Sequence, residues 1–106
     1  MAAKVGAEDP PSTQTRQRQK VRIRIEYNGK GPPGPVLAGR CETLVRMLVE
    51  GDAGVIDRRT AGDGAVNIYV ITRFPDHTIE LAQRSTSELG LADRTTIGIV
   101  KEKAVH

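Results

Sequence analysis

Few residues in this 106-residue chain could do chemistry, and none of them has a partner at a catalytic spacing. Cys41 is the only cysteine, so it can form neither an intramolecular disulfide nor a cysteine-based zinc site. His77 and His106 have no further ligand at metal-binding spacing, and no Ser, His and Asp arrangement is singled out. The glycine-rich stretch 29–34 lacks the Gly-Lys-Ser/Thr ending of a phosphate-binding loop. We therefore expect a protein that is not an enzyme and needs no metal or cofactor.

Basic side chains are the remaining chemical signal, and what they could bind is phosphate. The net charge is +3, which tolerates a nucleic-acid partner without requiring one. Five positive charges lie within nine residues, with no acidic residue between the first of them and Glu26: Arg16, Arg18, Lys20, Arg22 and Arg24. The run is either a flexible basic arm on DNA phosphates or a solvated tail that leads into the outer face of a strand. The second interpretation is favoured, because strand alternation alone explains Arg22 and Arg24.

Composition limits the elements that can position these charges. The length allows one domain and a tail. Only Tyr27, Tyr69 and Phe74 are aromatic, so the core must be aliphatic, and a stacking platform for single-stranded nucleic acid is disfavoured. Residues 1–20 contain no apolar stretch typical of a signal peptide, and no apolar run is long enough to span a membrane. Together with the lone Cys41, these features favour a cytoplasmic location.

Hydrophobic periodicity predicts most of the regular elements. Residues 1–19 are polar and small, which predicts a disordered arm. Val21–Tyr27 alternates apolar and polar residues, which predicts a half-buried strand. An apolar helical stripe then predicts a helix that ends at Gly51: Cys41, Leu44, Val45, Leu48 and Val49. Residues 57–61 could form one helical turn, and the segments 78–84 and 95–101 are predicted to be two strands of a wide hairpin.

The segment Ala65–Phe74 admits two interpretations. As a strand, its apolar residues alternate with Asn67 and Arg73, and its β-branched content favours this conformation. As a helix, it has one apolar face, but Arg73 falls inside that face. The local pattern leans toward the strand, so a helix here depends on tertiary context.

The order of these pieces resembles a family of small winged-helix domains from bacteria and phages. The matching pieces are, in chain order, Val21–Tyr27, Gly39-Arg40, Leu48–Gly54, Tyr69-Val70, Arg73, Ile79-Glu80 and Ile97–Lys101. The family implies an α+β winged helix-turn-helix fold with an N-terminal strand, three helices and a C-terminal two-stranded wing. On that basis residues 65–74 are expected to be helical, because tertiary context often overrides local propensity. The alternative fold is one helix packed on a four-stranded antiparallel sheet, with 65–74 as a strand.

The resemblance also implies a DNA-binding site. In a helix-turn-helix the last helix of the motif enters the major groove, which would bring Asn67 to adenine and Arg73 to phosphate. The other candidate contacts are Arg58, Arg59 and Thr60 near the DNA backbone, Arg84 and Arg94 beside the wing, and Arg16, Arg18 and Lys20 in the basic arm.

These expectations define a domain organisation and a function. A disordered basic arm (1–19) precedes a winged-helix domain (20–102) and a short tail (103–106). We expect a small DNA-binding or transcription-regulatory protein without catalytic activity, whose partner is double-stranded DNA. The alternative is a protein–protein interaction module on a winged-helix or α+β scaffold. The sequence predicts no membrane partner.

Overall fold

Two helices pack on one face of a four-stranded antiparallel sheet in the computed structural model, which describes residues 17–101. The elements are β1 (Gln19–Glu26), α1 (Pro35–Glu50), β2 (Val55–Gly62), β3 (Ala65–Thr72), α2 (Pro75–Glu88), a 3₁₀ turn (Ala92–Arg94) and β4 (Thr95–Val100). The strand order is β2-β3-β1-β4, and each neighbouring pair is antiparallel. This β-α-β-β-α-β succession is the split βαβ, or ferredoxin-like, arrangement.

Alternation along the two central strands explains why only one face of the sheet is covered. Val21, Ile23 and Ile25 of β1 are fully buried, and so are Ile68 and Val70 of β3. All of them except Val21 form one aliphatic cluster with the buried residues of α1. Each fully buried Val, Leu or Ile contributes about 1.5–3 kcal/mol relative to exposure, so the sheet and helices are held together by these residues. The intervening polar residues of β1 and β3 point away from the helices.

The predicted helix that ends at Gly51 is confirmed. Cys41, Leu44 and Leu48 are its buried residues. The helix begins at Pro35, because proline has the φ of a first helical turn and the missing N–H has no partner there.

The winged helix-turn-helix fold is wrong. Ala65–Thr72 is a strand, and it pairs along its whole length with β1 on one side and with β2 on the other. The β-branched residues of this segment favour a strand, and tertiary context here reinforces that preference instead of overriding it. This segment is consequently not a recognition helix. Residues 57–61 are not a helical turn either, because they belong to β2.

The predicted strand at 78–84 is also wrong, because these residues lie within α2. The buried face of α2 includes Thr78, Ala82 and Ser85, which have helical spacing but little apolar character. The alternative fold therefore had the right number of strands, but it placed one of them at 78–84 instead of at Val55–Gly62, and it lacked α2. The segment 95–101 does contain a strand, β4, but its partner is β1.

The domain boundaries fall partly outside the described residues. Residues 1–16 of the predicted arm and residues 103–106 of the predicted tail belong to the parts that are not described. Gln19, assigned to the arm, is the first residue of β1. Neither helix between residues 17 and 101 is long and apolar enough to cross a membrane.

Candidate functional site

The face of the sheet away from the helices carries a regular array of polar side chains. Directly opposed residues of antiparallel strands share a face. One row across the sheet is Arg58, Tyr69, Arg22 and Gly98, one residue from each strand. The adjacent row is Thr60, Asn67, Arg24 and Thr96. The third row is Val55, Ile71, Lys20 and Val100, and it adds three apolar side chains to one cation. These twelve residues make up the surface that we call the open face.

Tyr69 lies among the cations of the open face. The Cζ of Arg58 is 5.0 Å from the centre of the Tyr69 ring, and the Nζ of Lys20 is 5.8 Å from it. Both distances are within the range of cation–π attraction. Lys20 Nζ also lies 3.6 Å from Asp57 Oδ2. The ring and these contacts therefore hold two positive charges beside each other on the surface.

The remaining cations of the open face are weakly neutralised. Arg24 Nε lies 3.5 Å from Glu26 Oε2, and because both side chains are more than one-third exposed, the pair contributes little. No acidic side chain within the described part of the chain forms an ion pair with Arg22 or Arg58. Both guanidinium groups are thus available to an anionic ligand.

Charge is distributed unequally between the two layers of the fold. The strands carry five basic side chains (Lys20, Arg22, Arg24, Arg58, Arg59) and two acidic ones (Glu26, Asp57). The helices carry three basic side chains (Arg40, Arg46, Arg84) and five acidic ones (Glu42, Glu50, Asp76, Glu80, Glu88). Arg59 points to the helices, where it pairs with Glu42, so the sheet side keeps four basic side chains against two acidic ones. A polyanion is therefore attracted to the sheet side of the molecule and not to the helix side.

A recess lies at each end of the open face. At one end Arg24, Tyr27 and Arg94 line a cavity of about 520 Å³. At the other end, Arg18 and Arg73 lie beside a cavity of about 470 Å³. Acidic side chains line the same recesses, Glu26 and Asp93 at the first end and Asp52 and Asp57 at the second, so neither recess is purely basic.

The structure brings together some of the sequence-predicted site residues and separates others. Lys20, Arg58, Thr60 and Asn67 lie on the open face, while Arg94 lies at one end of it and Arg18 and Arg73 at the other.

Two predicted contacts lie elsewhere. Arg59 points to the helix side, where its Nη1 donates to Glu42 Oε2 at 2.9 Å. Arg84 is exposed on α2, in the opposite layer. Neither can act together with the open face. Arg16 lies outside the described residues.

The prediction missed Arg22, Arg24 and Tyr69 as site residues. The alternation within Val21–Tyr27 had already placed both arginines on an outer face. What was missing was the pairing of β1 with β3, which brings Tyr69 opposite Arg22.

Asn67 lies on the open face in the central strand β3, opposite Arg24 on one side and Thr60 on the other. Its Nδ2 lies 3.4 Å from Thr60 Oγ1, to which it donates. Its Oδ1 is buried and has no hydrogen-bond partner among residues 17–101. An unsatisfied buried acceptor is uncommon, and it leaves this amide able to accept a bond if neighbouring side chains move.

Residues 17–101 show no cluster of nucleophilic or metal-binding groups. Cys41 is buried, and burial raises the pKa of its thiol, with Glu42 as a smaller cause in the same direction. A protonated, buried thiol is a poor nucleophile. Within the described ranges, no group of three or more His, Cys, Asp or Glu side chains could hold a metal ion.

Comparisons of the chain with models of protein families, with curated proteins and with solved structures find no significant match. The ferredoxin-like arrangement supports many unrelated functions, so the fold does not select one. Function must be inferred from the open face.

Proposed function

We propose that the open face binds single-stranded nucleic acid, mainly through its phosphates, and that no catalytic step follows. The observation that carries the proposal is the cluster of Lys20, Arg22 and Arg24 on β1 and Arg58 on β2, on either side of Tyr69 on β3. A positively charged surface that follows the phosphate backbone is the usual feature of proteins that bind single strands. The cytoplasmic location predicted from the sequence is compatible with this role and stays a prediction.

The shape of the open face favours a single strand over a duplex. Strands lie about 4.8 Å apart, so the four strands span roughly 14 Å between the outermost backbones. The major groove of B-DNA is about 12 Å wide and admits a helix or a two-stranded ribbon. A four-stranded face is too broad for that groove. The expectation of a double-stranded DNA partner depended on a recognition helix at residues 65–74, and most of this segment is a strand.

Tyr69 offers one place where a base could stack. Base stacking on an aromatic side chain contributes about 1–3 kcal/mol by alanine substitution. Sheet-based RNA-binding modules use several aromatics on their central strands. Here β3 provides one ring, and β1 provides Arg22 in the facing position. We therefore expect affinity to come chiefly from charge and selectivity among bases to be weak.

A protein partner on this face is the weaker hypothesis. The centres of protein–protein interfaces are depleted in charged residues. The two central strands instead place Arg22, Arg24, Asn67 and Tyr69 at the centre of the open face, and Arg58 lies against Tyr69 on the edge strand β2. A polyanion matches this chemistry better than an ordinary protein surface does.

The experiment is a salt-dependent titration of a fluorescein-labelled single-stranded oligonucleotide, as DNA and as RNA, followed by anisotropy. Binding should be measurable at about 50 mM salt, and four neutralised phosphates give a slope of log K against log salt near −2.8. The double variant Arg22→Ala/Arg58→Ala should lower the affinity by at least about tenfold and reduce the slope by about 1.4.

The matched control is Arg46→Ala/Arg84→Ala, which removes the same charge from the helix layer. It should bind as the wild type does. Equal losses in the two double variants would show that only net charge matters, and this would refute the open face as the site. No binding at about 50 mM salt would reject a nucleic-acid function altogether. A duplex competitor that binds as tightly as the single strand would refute the choice of a single-stranded partner.

A further inference from the structure

Gly98 lies in the interior of the edge strand β4, and no structural need explains it. Its φ is not positive, so the backbone does not require glycine. A Cβ at this position would meet no atom within 4 Å, so packing does not require glycine either. Glycine weakens a strand interior, and it often marks a place where a ligand or another backbone approaches closely.

The surroundings of Gly98 point to an anionic ligand. Gly98 is directly opposite Arg22 and therefore shares the open face with it. The missing side chain leaves a recess of about 270 Å³ over β4, whose lining includes Arg22, Thr96 and Lys101. These three side chains provide a guanidinium, a hydroxyl and an ammonium group, all of which donate hydrogen bonds to phosphate oxygens.

We propose that the sugar-phosphate backbone of the bound strand lies directly against β4 at Gly98, with a phosphate held between Arg22 and Lys101. This inference rests on the proposed function and adds the direction in which the nucleic-acid strand crosses the sheet. The strand would cross the sheet along the row Arg58, Tyr69, Arg22 and Gly98, and would leave the protein over the β4 edge. Along this row the nucleic-acid backbone would contact a cation, an aromatic ring, a second cation and then the recess at Gly98.

The test compares Gly98→Ala and Gly98→Val with Gly39→Ala, by oligonucleotide titration and by urea unfolding. Gly39 is in α1, in the opposite layer, and its added Cβ would also meet no atom within 4 Å. Neither variant at Gly98 should lower the resistance to urea, because both residues restrict the unfolded chain and valine favours strands. Gly98→Val should nevertheless weaken binding by roughly tenfold, as expected for one displaced charge-assisted contact. Gly98→Ala should weaken it less, and Gly39→Ala not at all.

The salt dependence shows which contact is lost. If Gly98→Val displaces the phosphate from Arg22, the slope of log K against log salt should become shallower by about 0.7. A weaker affinity with an unchanged slope would overturn the assignment to a phosphate. Should Gly98→Val fail to fold, the smaller Gly98→Ala decides by the same two measurements.

The failures of the two proposals are distinguishable. Wild-type affinity in both Gly98 variants, beside a loss in Arg22→Ala/Arg58→Ala, would refute close approach at Gly98 and leave the open face as the site. Absence of wild-type binding would reject both proposals.

Discussion

Gly54, in the connection between α1 and β2, is expected to be the glycine that tolerates a methyl group least. Its φ is 142°, a backbone conformation that residues with a side chain rarely adopt. An added Cβ would collide with the carbonyl oxygen of Ile71 on the neighbouring strand and would lie 3.0 Å from Val70 Cγ1. One obstacle is backbone and the other is a fully buried side chain. Neither can move without disturbing β3.

Two costs therefore add in Gly54→Ala. A residue held in a sparsely populated backbone region costs about 1–3 kcal/mol. Forcing an extra methyl group into a packed site costs about 1–3 kcal/mol more. A domain of this size has a free energy of unfolding of roughly 4–13 kcal/mol, so the combined loss is a large part of it. Because 1 kcal/mol shifts the Tm of such a domain by about 4–8 °C, a decrease of at least about 8 °C is expected.

Gly62→Ala separates the two costs. Gly62 has a similar φ of 136°, but an added Cβ there would meet no atom within 4 Å. It should lose only the backbone part, about 1–3 kcal/mol. Urea unfolding followed by circular dichroism gives both values on the full chain. If Gly54→Ala is no less stable than Gly62→Ala, the collision with Ile71 does not exist. The pairing of Val55 with Ile71 in the β2–β3 register would then be refuted.

Two further predictions concern the core. Thr78 is fully buried and its hydroxyl donates to the carbonyl of Ala53, so Thr78→Val should cost about 1–3 kcal/mol by leaving that carbonyl unsatisfied. Thr86→Val removes only a hydrogen bond within α2, so it should lower the free energy of unfolding less than Thr78→Val does. Equal decreases for the two variants in urea unfolding would contradict this expectation. Burial raises the pKa of the Cys41 thiol above 9.0, so the folded state binds its proton more tightly than the unfolded state does. The free energy of unfolding should therefore fall as pH rises through 9.0 toward the pKa of the folded state. If the urea midpoint changes with pH by the same amount in the wild type and in Cys41→Ala, this prediction is refuted.

The parts of the fold that the sequence predicted correctly are those with strong periodicity. The alternation of β1 and the apolar stripe of α1 were clear, and both elements are present. The strand Ala65–Thr72 was also indicated by its own β-branched pattern, and only the family resemblance turned it into a helix. Asp63-Gly64 is a hairpin signal that the prediction did not use, and both residues have positive φ, 56° and 84°. Local physics was the better guide in this half of the chain.

Helix α2 was hidden because its buried face carries little hydrophobic signal. Thr78, Ala82 and Ser85 occupy that face, whereas the more apolar Ile79 and Leu81 are only partly buried and happen to alternate. Pro75 was the one local sign of a helix start, since proline is favoured at the first helical position. A segment whose inward residues are small and polar cannot be assigned from hydrophobic periodicity, which depends on contrast between faces.

The site could not be predicted because its existence depends on that hidden helix. Arg22, Tyr69 and Arg58 are far apart in sequence, and only the register of β1, β3 and β2 joins them in one row. Even with that register known, the row is a surface only if both helices lie on the other side of the sheet. Helix α2 contacts β1, β3 and β4, and so covers the core face over the part of the sheet that α1 leaves free. If residues 78–84 had been a strand, one helix would have had to cover four strands. The acidic side chains of α2 would then not have lain in a helix layer opposite the basic open face. The electrostatic polarity that carries the proposed function is therefore a consequence of the element that the sequence indicated least.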